Sequence, residues 1–183
     1  MIDYRFLDDR LPSEDSAVKA WIGRGMDLLH FFRWLGHTWV ANTINDSEWL
    51  FPVIESIHIT GLAILIGTVA IVDFRLLGLV LPKRPVAQLA AELKPFTLTG
   101  IFIMLTTGPL MLSAEPERGY GNPAFAFKMS FLLLALVSHF TIHRLATKSD
   151  RASGATLGQK LAACLSLFLW TGVVTGGRAI AFF

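Results

Sequence analysis

The chain has 183 residues, 53% of them hydrophobic and 16% charged, with a formal net charge of +2. Its mean hydropathy is +0.54 and its pI about 8.9. That balance excludes a soluble globular domain, which needs more polar surface, and it is too weakly basic to point to nucleic acid.

Residues 1–24 read as a polar N-terminal tail. The stretch MIDYRFLDDRLPSEDSAVKAW has no basic run ahead of an apolar core, so no cleavable signal peptide is expected. Residues 25–48 read as an amphipathic helix lying on the membrane surface. Its apolar part, Gly25 to Ile44, carries Asp27, His30, Arg33 and His37. Each charge near mid-bilayer costs about 2.5–3.5 kcal/mol on insertion scales, so the surface is the cheaper place. Trp34, Trp39 and Trp49 suit the interfacial belt. If this segment did cross, the N-terminus would become cytoplasmic.

Residues 49–183 read as a bundle of four spans, at about 50–81, 95–113, 123–146 and 157–182. Pro82 and Pro85 are expected to stop the first. Gly119, Gly121 and Pro123 mark the loop before the third, and Ser153-Gly154 the loop before the fourth. Lys83, Arg84 and Lys94 lie in the first connection, and Arg144, Lys148, Arg151 and Lys160 in or beside the third. The middle connection has Arg118 beside Glu115 and Glu117. An excess of positive charge marks the cytoplasmic side, so both termini are expected outside. The fold class is therefore all-α: a polytopic four-helix bundle with an N-terminal interfacial helix. The single cysteine, Cys164, leaves no internal disulfide and no Cys-x-x-Cys zinc site.

The first span carries four ionisable residues, Glu55, His58, Asp73 and Arg75. At about 100° per residue, Glu55 and Asp73 lie about 60° from His58 on the same side, and Arg75 points elsewhere. Lys128, His139 and His143 fall within about 60° on the third span. So do Lys160, Cys164, Thr171, Thr175 and Arg178 on the fourth, and Thr99, Thr106 and Ser113 fall within about 40° on the second. Polar groups inside a membrane should face protein or water, so these stripes are expected to turn inward. Small residues such as Gly61, Gly67, Gly100, Gly172, Gly176 and Gly177 would let helices approach closely.

In depth the charges form two groups. Glu55 lies roughly 8 Å and His58 roughly 12 Å below the outer boundary, with Lys128 and Arg178 roughly 5–6 Å below it. Asp73, Arg75, His143 and Lys160 belong to the cytoplasmic half.

These residues carry a resemblance. Trp49-Leu50-Phe51-Pro52 with Glu55-x-x-His58, Asp73-x-Arg75-Leu76-Leu77-Gly78, Tyr120-Gly121-Asn122-Pro123-Ala124-Phe125-x-x-Lys128-Met129, and Gly177-Arg178 resemble a family of short bacterial four-span membrane proteins of unassigned function. The resemblance covers about residues 28–183, nearly the whole chain. More loosely, the architecture is similar to cytochrome b-type bundles and to the membrane domains of copper-resistance proteins. Those comparisons imply haem or copper handling in the membrane.

Two readings of the outer layer stand side by side. In one, His58 is an axial ligand to haem b, Lys128 and Arg178 meet the propionates, and Glu55 holds or tunes His58. Met104 or Met129, or His30 or His37 from the surface helix, would be the second ligand; a five-coordinate haem needs none. In the other, Glu55, Lys128 and Arg178 form a buried ion network around a hydrogen-bonded His58. His58, His139 and His143 are candidate copper or zinc ligands, since His139 and His143 are four apart on one helix face. With Asp73 at the same height, a proton relay is a further option for that pair, against the blander reading of interfacial anchoring. A single Glu55-x-x-His58 cannot make a di-iron centre, which needs the motif twice. No serine or cysteine has a histidine base at matching depth, so a nucleophilic enzyme is not expected. The function read from the sequence is a haem-binding electron-transfer or sensing subunit. The alternatives are a transport protein for a metal ion or small solute, and a structural subunit with buried ion pairs. The partners read alongside it are lipid and either further copies of the chain or a redox subunit.

Overall fold

The computed structural model describes residues 29–148 and 156–182. The polar tail, residues 25–28 of the expected surface helix, and Arg151 with the Ser153-Gly154 loop lie outside the described residues. The described residues form helices and no strand. Four helices are long and apolar enough to cross a bilayer: Leu50–Leu77, Val86–Ala114, Pro123–His143 and Leu157–Ala179. They are called the first to fourth spans below.

The first span ends four residues before its expected limit. Gly78 takes the left-handed conformation at φ 82°. Gly78 N–H donates to Arg75 and Leu79 N–H to Phe74. This pair of bonds closes the orphan carbonyls of a helix end on a glycine, so the stop comes before the prolines are reached. Arg75 does not reach into solvent alone. Its Nε donates to the Arg84 carbonyl at 2.7 Å and its Nη2 to the Pro82 carbonyl at 3.1 Å, which ties down the connection.

The second span begins nine residues earlier than expected, at Val86, and Pro95 and Pro109 lie inside it. Pro95 was expected to open the span. It does not, because prolines are tolerated in membrane helices where neighbours take up the freed backbone groups. At 29 residues the helix is about 44 Å long, more than a hydrocarbon core of about 30 Å requires. Its first turns carry Gln88, Glu92 and Lys94, all exposed.

The third span starts on a built cap. Asn122 accepts from Ala124 N–H and Phe125 N–H, and Pro123 supplies the first helical residue. Asn122→Ala should lower stability by about 1 kcal/mol, readable as a fall in thermal midpoint in detergent. The span runs as α-helix to Ser138, widens into a π turn over His139–His143, and continues through Arg144–Lys148. The fourth span opens with a capping box of Thr156 and Gln159. A short 3-10 turn, Ile180–Phe182, follows it.

Glycines set two close helix pairs. A Cβ on Gly61 would meet Ile103, and one on Gly100 would meet Leu65, so the first and second spans touch nearly backbone to backbone. A Cβ on Gly172 would meet Phe131, and one on Gly176 would meet Lys128 and Phe127, which joins the third and fourth spans. The first span also packs along the fourth. The centre is filled by Leu65, Val69, Ile101, Met104, Ala135, Leu169, Trp170 and Val173. A second cluster of Val72, Leu76, Val86 and Ala163 lies toward the end that carries the basic connections. That end is called the basic end here, and the other, with residues 115–122, the opposite end.

Ahead of the first span, residues 29–36 and Trp39–Asn45 are helical. They sit on the opposite end. Asn45 donates to the Ala114 carbonyl at 3.2 Å. Phe32 meets the edges of Tyr120 and Phe125.

The expected inward stripes hold only in part. On the fourth span Lys160, Cys164, Thr171, Thr175 and Arg178 are all exposed, while Ala162, Ala163, Ser166 and Gly176 face inward. On the second span Thr99 and Thr106 are exposed, and Thr97 and Thr107 are the inward threonines. The reason is that a helical threonine can satisfy its hydroxyl on its own helix. Thr171 donates to Leu167, Thr175 to Thr171 and Thr106 to Phe102. Their polarity does not dictate which way they turn.

Candidate functional site

The interior holds two polar layers separated by the central apolar cluster. The layer toward the opposite end is built on His58. Its helix turns it inward, against Thr107 of the second span. His58 Nδ1 lies 2.7 Å from Thr107 Oγ1. Thr107 Oγ1 in turn donates to the Ile103 carbonyl at 2.6 Å. A threonine has one hydroxyl proton, and Ile103 takes it. Thr107 can therefore only accept from the imidazole, and Nδ1 carries a proton. In the neutral ring this leaves Nε2 with a free lone pair. Among the described residues Nε2 makes no hydrogen bond.

Lys128, half-buried on the third span, acts electrostatically on His58. Its side chain lies against Gly176 and Gly177 of the fourth span. Lys128 and Arg178 make no ion pair among the described residues, and neither does Glu55. Glu55 is exposed, so the acid expected beside His58 faces outward, as does Arg178. Glu55 lies about 120° around the first span from Gly61, where the first and second spans touch. Met104 is buried in the central cluster, and Met129 is exposed on the outside of the third span. His30 and His37 are exposed on the N-terminal helical segment.

The layer toward the basic end joins the first, third and fourth spans. Asp73 is fully buried, at 0% exposure, and His143 is 5% exposed. His143 Nε2 lies 2.8 Å from Asp73 Oδ1, and a carboxylate there accepts from the ring N–H. The His139 ring stacks on His143, with centroids 5.2 Å apart and planes inclined by 21°. Ser166 of the fourth span lies beside the Asp73 carboxyl. Asp73 Oδ2, His139 Nδ1, Ser138 Oγ and Ser166 Oγ are buried without hydrogen-bond partners. A Thr97–Thr68 hydrogen bond of 3.0 Å links the second and first spans between the two layers.

Sequence arithmetic placed Asp73 and His143 at one height, and the structure joins them. It did not find Thr107, Ser138 or Ser166. The adjacent Thr106-Thr107 pair carried a signal, but the wrong member was chosen. Among the described residues no three His, Cys, Asp or Glu side chains converge on a point where a metal could sit.

Four apolar helices with ionisable groups turned inward define an integral membrane protein of the helical-bundle class. The chain belongs to a family of unknown function, DUF6644, whose sequence profile matches residues 31–183. No curated protein and no solved structure matches it.

Proposed function

We propose that the protein binds a redox cofactor, a b-type haem, beside His58 and serves as an electron-transfer or sensing subunit of a bacterial inner membrane. One observation carries the reading: the chain of hydrogen bonds from His58 Nδ1 through Thr107 to the Ile103 carbonyl. Metal-binding histidines characteristically donate their other ring N–H to a fixed acceptor, which sets the tautomer and aims the ligand nitrogen. His58 has that arrangement, with Nε2 left over.

The surroundings fit an anionic cofactor held from one side. Lys128 has no carboxylate partner among the described residues, and it is available to a propionate, as is Arg178 nearer the boundary. Gly108 lies at the edge of the His58 ring, where a Cβ would come within 3.7 Å of Cε1, so this side of the imidazole is lightly covered. Met104 is held in the packed centre and Met129 faces outward, so the donor set fits a single protein ligand. A haem there supplies one-electron transfer. In this reading the basic end is cytoplasmic, both termini are outside, and the electron partner is another copy or a second membrane subunit.

The test is the absorption spectrum of protein purified from haem-replete membranes. A Soret band is expected in the wild type and is lost in His58→Ala. Thr107→Val keeps the ligand but removes its orienting partner, and should weaken haem affinity by about 10–100-fold. Protein that stays colourless after haem reconstitution overturns the reading. Stoichiometric copper or zinc in a colourless preparation would favour the transport alternative, because His58 and Asp73 both face the interior.

A further inference from the structure

The second polar layer is not used by this reading, and it has a chemistry of its own. A serine in a helix can always return its hydroxyl to the carbonyl four residues back, or near it. Among the described residues the other buried hydroxyls are partnered: Thr68, Thr107, Ser113 and Thr147 each donate to a carbonyl of their own helix, and Thr97 gives its proton to Thr68 or to the Leu93 carbonyl. Ser138 and Ser166 are the exceptions. Their hydroxyls are buried without a partner, as are Asp73 Oδ2 and His139 Nδ1. An unpaired buried polar atom is destabilising unless something satisfies it. Ser166 lies beside the Asp73 carboxyl, with His139 and Ser138 adjacent on the third span, and unpaired polar atoms of this kind are where internal water, with two to four polar partners, is held.

We propose that Asp73, His139 and His143, with Ser138 and Ser166, form a buried proton-exchange site that takes up water and a proton from the basic end of the bundle. Asp73 lies four residues before the end of the first span, about 6 Å of helix. On the other side the central cluster of Leu65, Met104, Trp170 and their neighbours separates it from His58. The shorter way out is therefore toward the basic end, past the second cluster of Val72, Leu76, Val86 and Ala163.

The step is a proton transfer alone. An O–H bond of hydronium breaks, an O–H forms on Asp73 Oδ2 or an N–H on an imidazole, and a water molecule is left; release is the reverse. Asp73 Oδ1 already accepts from His143, so Oδ2 is the oxygen free to receive. The charged groups around the pair do not quench it. Arg75 is bound to the Pro82 and Arg84 carbonyls, and Arg84 pairs with Glu92. Lys94 of the second span, Arg144 of the third and Lys160 of the fourth are exposed, and Gln159 on the fourth is buried. The π turn at His139–His143 presents both rings to one side, and such turns recur at functional sites. Nothing here depends on a cofactor at His58.

Infrared difference spectra of the full chain in lipid, between acidic and neutral buffer, test the proposal. A carbonyl band of a protonated carboxyl is expected to grow on acidification, to shift in D2O, and to disappear in Asp73→Asn. Ser166→Ala keeps the carboxyl and removes the hydroxyl beside it, so the band should remain and move. This second variant decides the matter if Asp73→Asn does not fold. Absence of a titrating band in the wild type overturns the proposal, and so does a band that neither variant changes.

Discussion

Gly100→Ala is expected to cost about 1–3 kcal/mol, the range for overpacking a filled interior. The added methyl would stand 2.8 Å from Leu65 Cβ, 2.9 Å from Leu65 N and 3.0 Å from the Gly61 carbonyl oxygen. Two of those three atoms are backbone. A side chain can swing aside, but the first span can yield only by moving away as a helix. That movement would also separate His58 from Thr107 and Thr68 from Thr97, since both bonds cross the same interface. The control is Gly67→Ala on the first span, where a Cβ would meet nothing within 4 Å. There the methyl removes the entropic penalty of a helical glycine, and stability should hold or rise by up to about 1 kcal/mol. Thermal or detergent unfolding of the two variants should therefore move in opposite directions. Equal effects would mean that the first two spans are not in close contact.

The contrast shows which parts of this molecule were legible in the sequence. Span number and position were, because hydropathy over some twenty residues is a sum and tolerates local exceptions. Span ends were less so. Pro82 and Pro95 were obvious punctuation, yet Gly78 stopped the first helix and Pro95 stopped nothing. A glycine ends a helix through two specific hydrogen bonds, and a proline breaks one only where no neighbour compensates.

The inward faces were legible where the group could not satisfy itself. Neither a carboxylate nor an imidazole can donate into its own helix as a hydroxyl does. Asp73, His58 and His143 accordingly turned inward, in agreement with the helical arithmetic. Thr106, Thr171 and Thr175 had carbonyls of their own helix to bind, and packing rather than polarity placed them outside. Glu55 shares nearly the azimuth of Asp73 five turns away, but it lies near the end of its span, where exposure is possible. Ser138 and Ser166 were invisible for a related reason. Their importance lies in a hydrogen bond not made, which spacing cannot show.

The Asp73–His143 pair admits the most decisive measurement. His143→Leu leaves a carboxyl buried at 0% exposure without its donor. Removing one partner of a buried pair typically costs about 3–5 kcal/mol, because the survivor must be kept from water unpaired. Asp73→Val strands the imidazole in the same way. The double variant has neither group and places apolar side chains of comparable volume in the layer. Such replacements are often neutral or stabilising, so the double variant should recover most of what each single one loses. The unfolding free energies of the wild type and the three variants then give the coupling between the side chains directly. A pair retained for stability would show a double variant clearly less stable than the wild type. Recovery would mean that the fold does not need these groups, which is what a role in proton exchange requires of them.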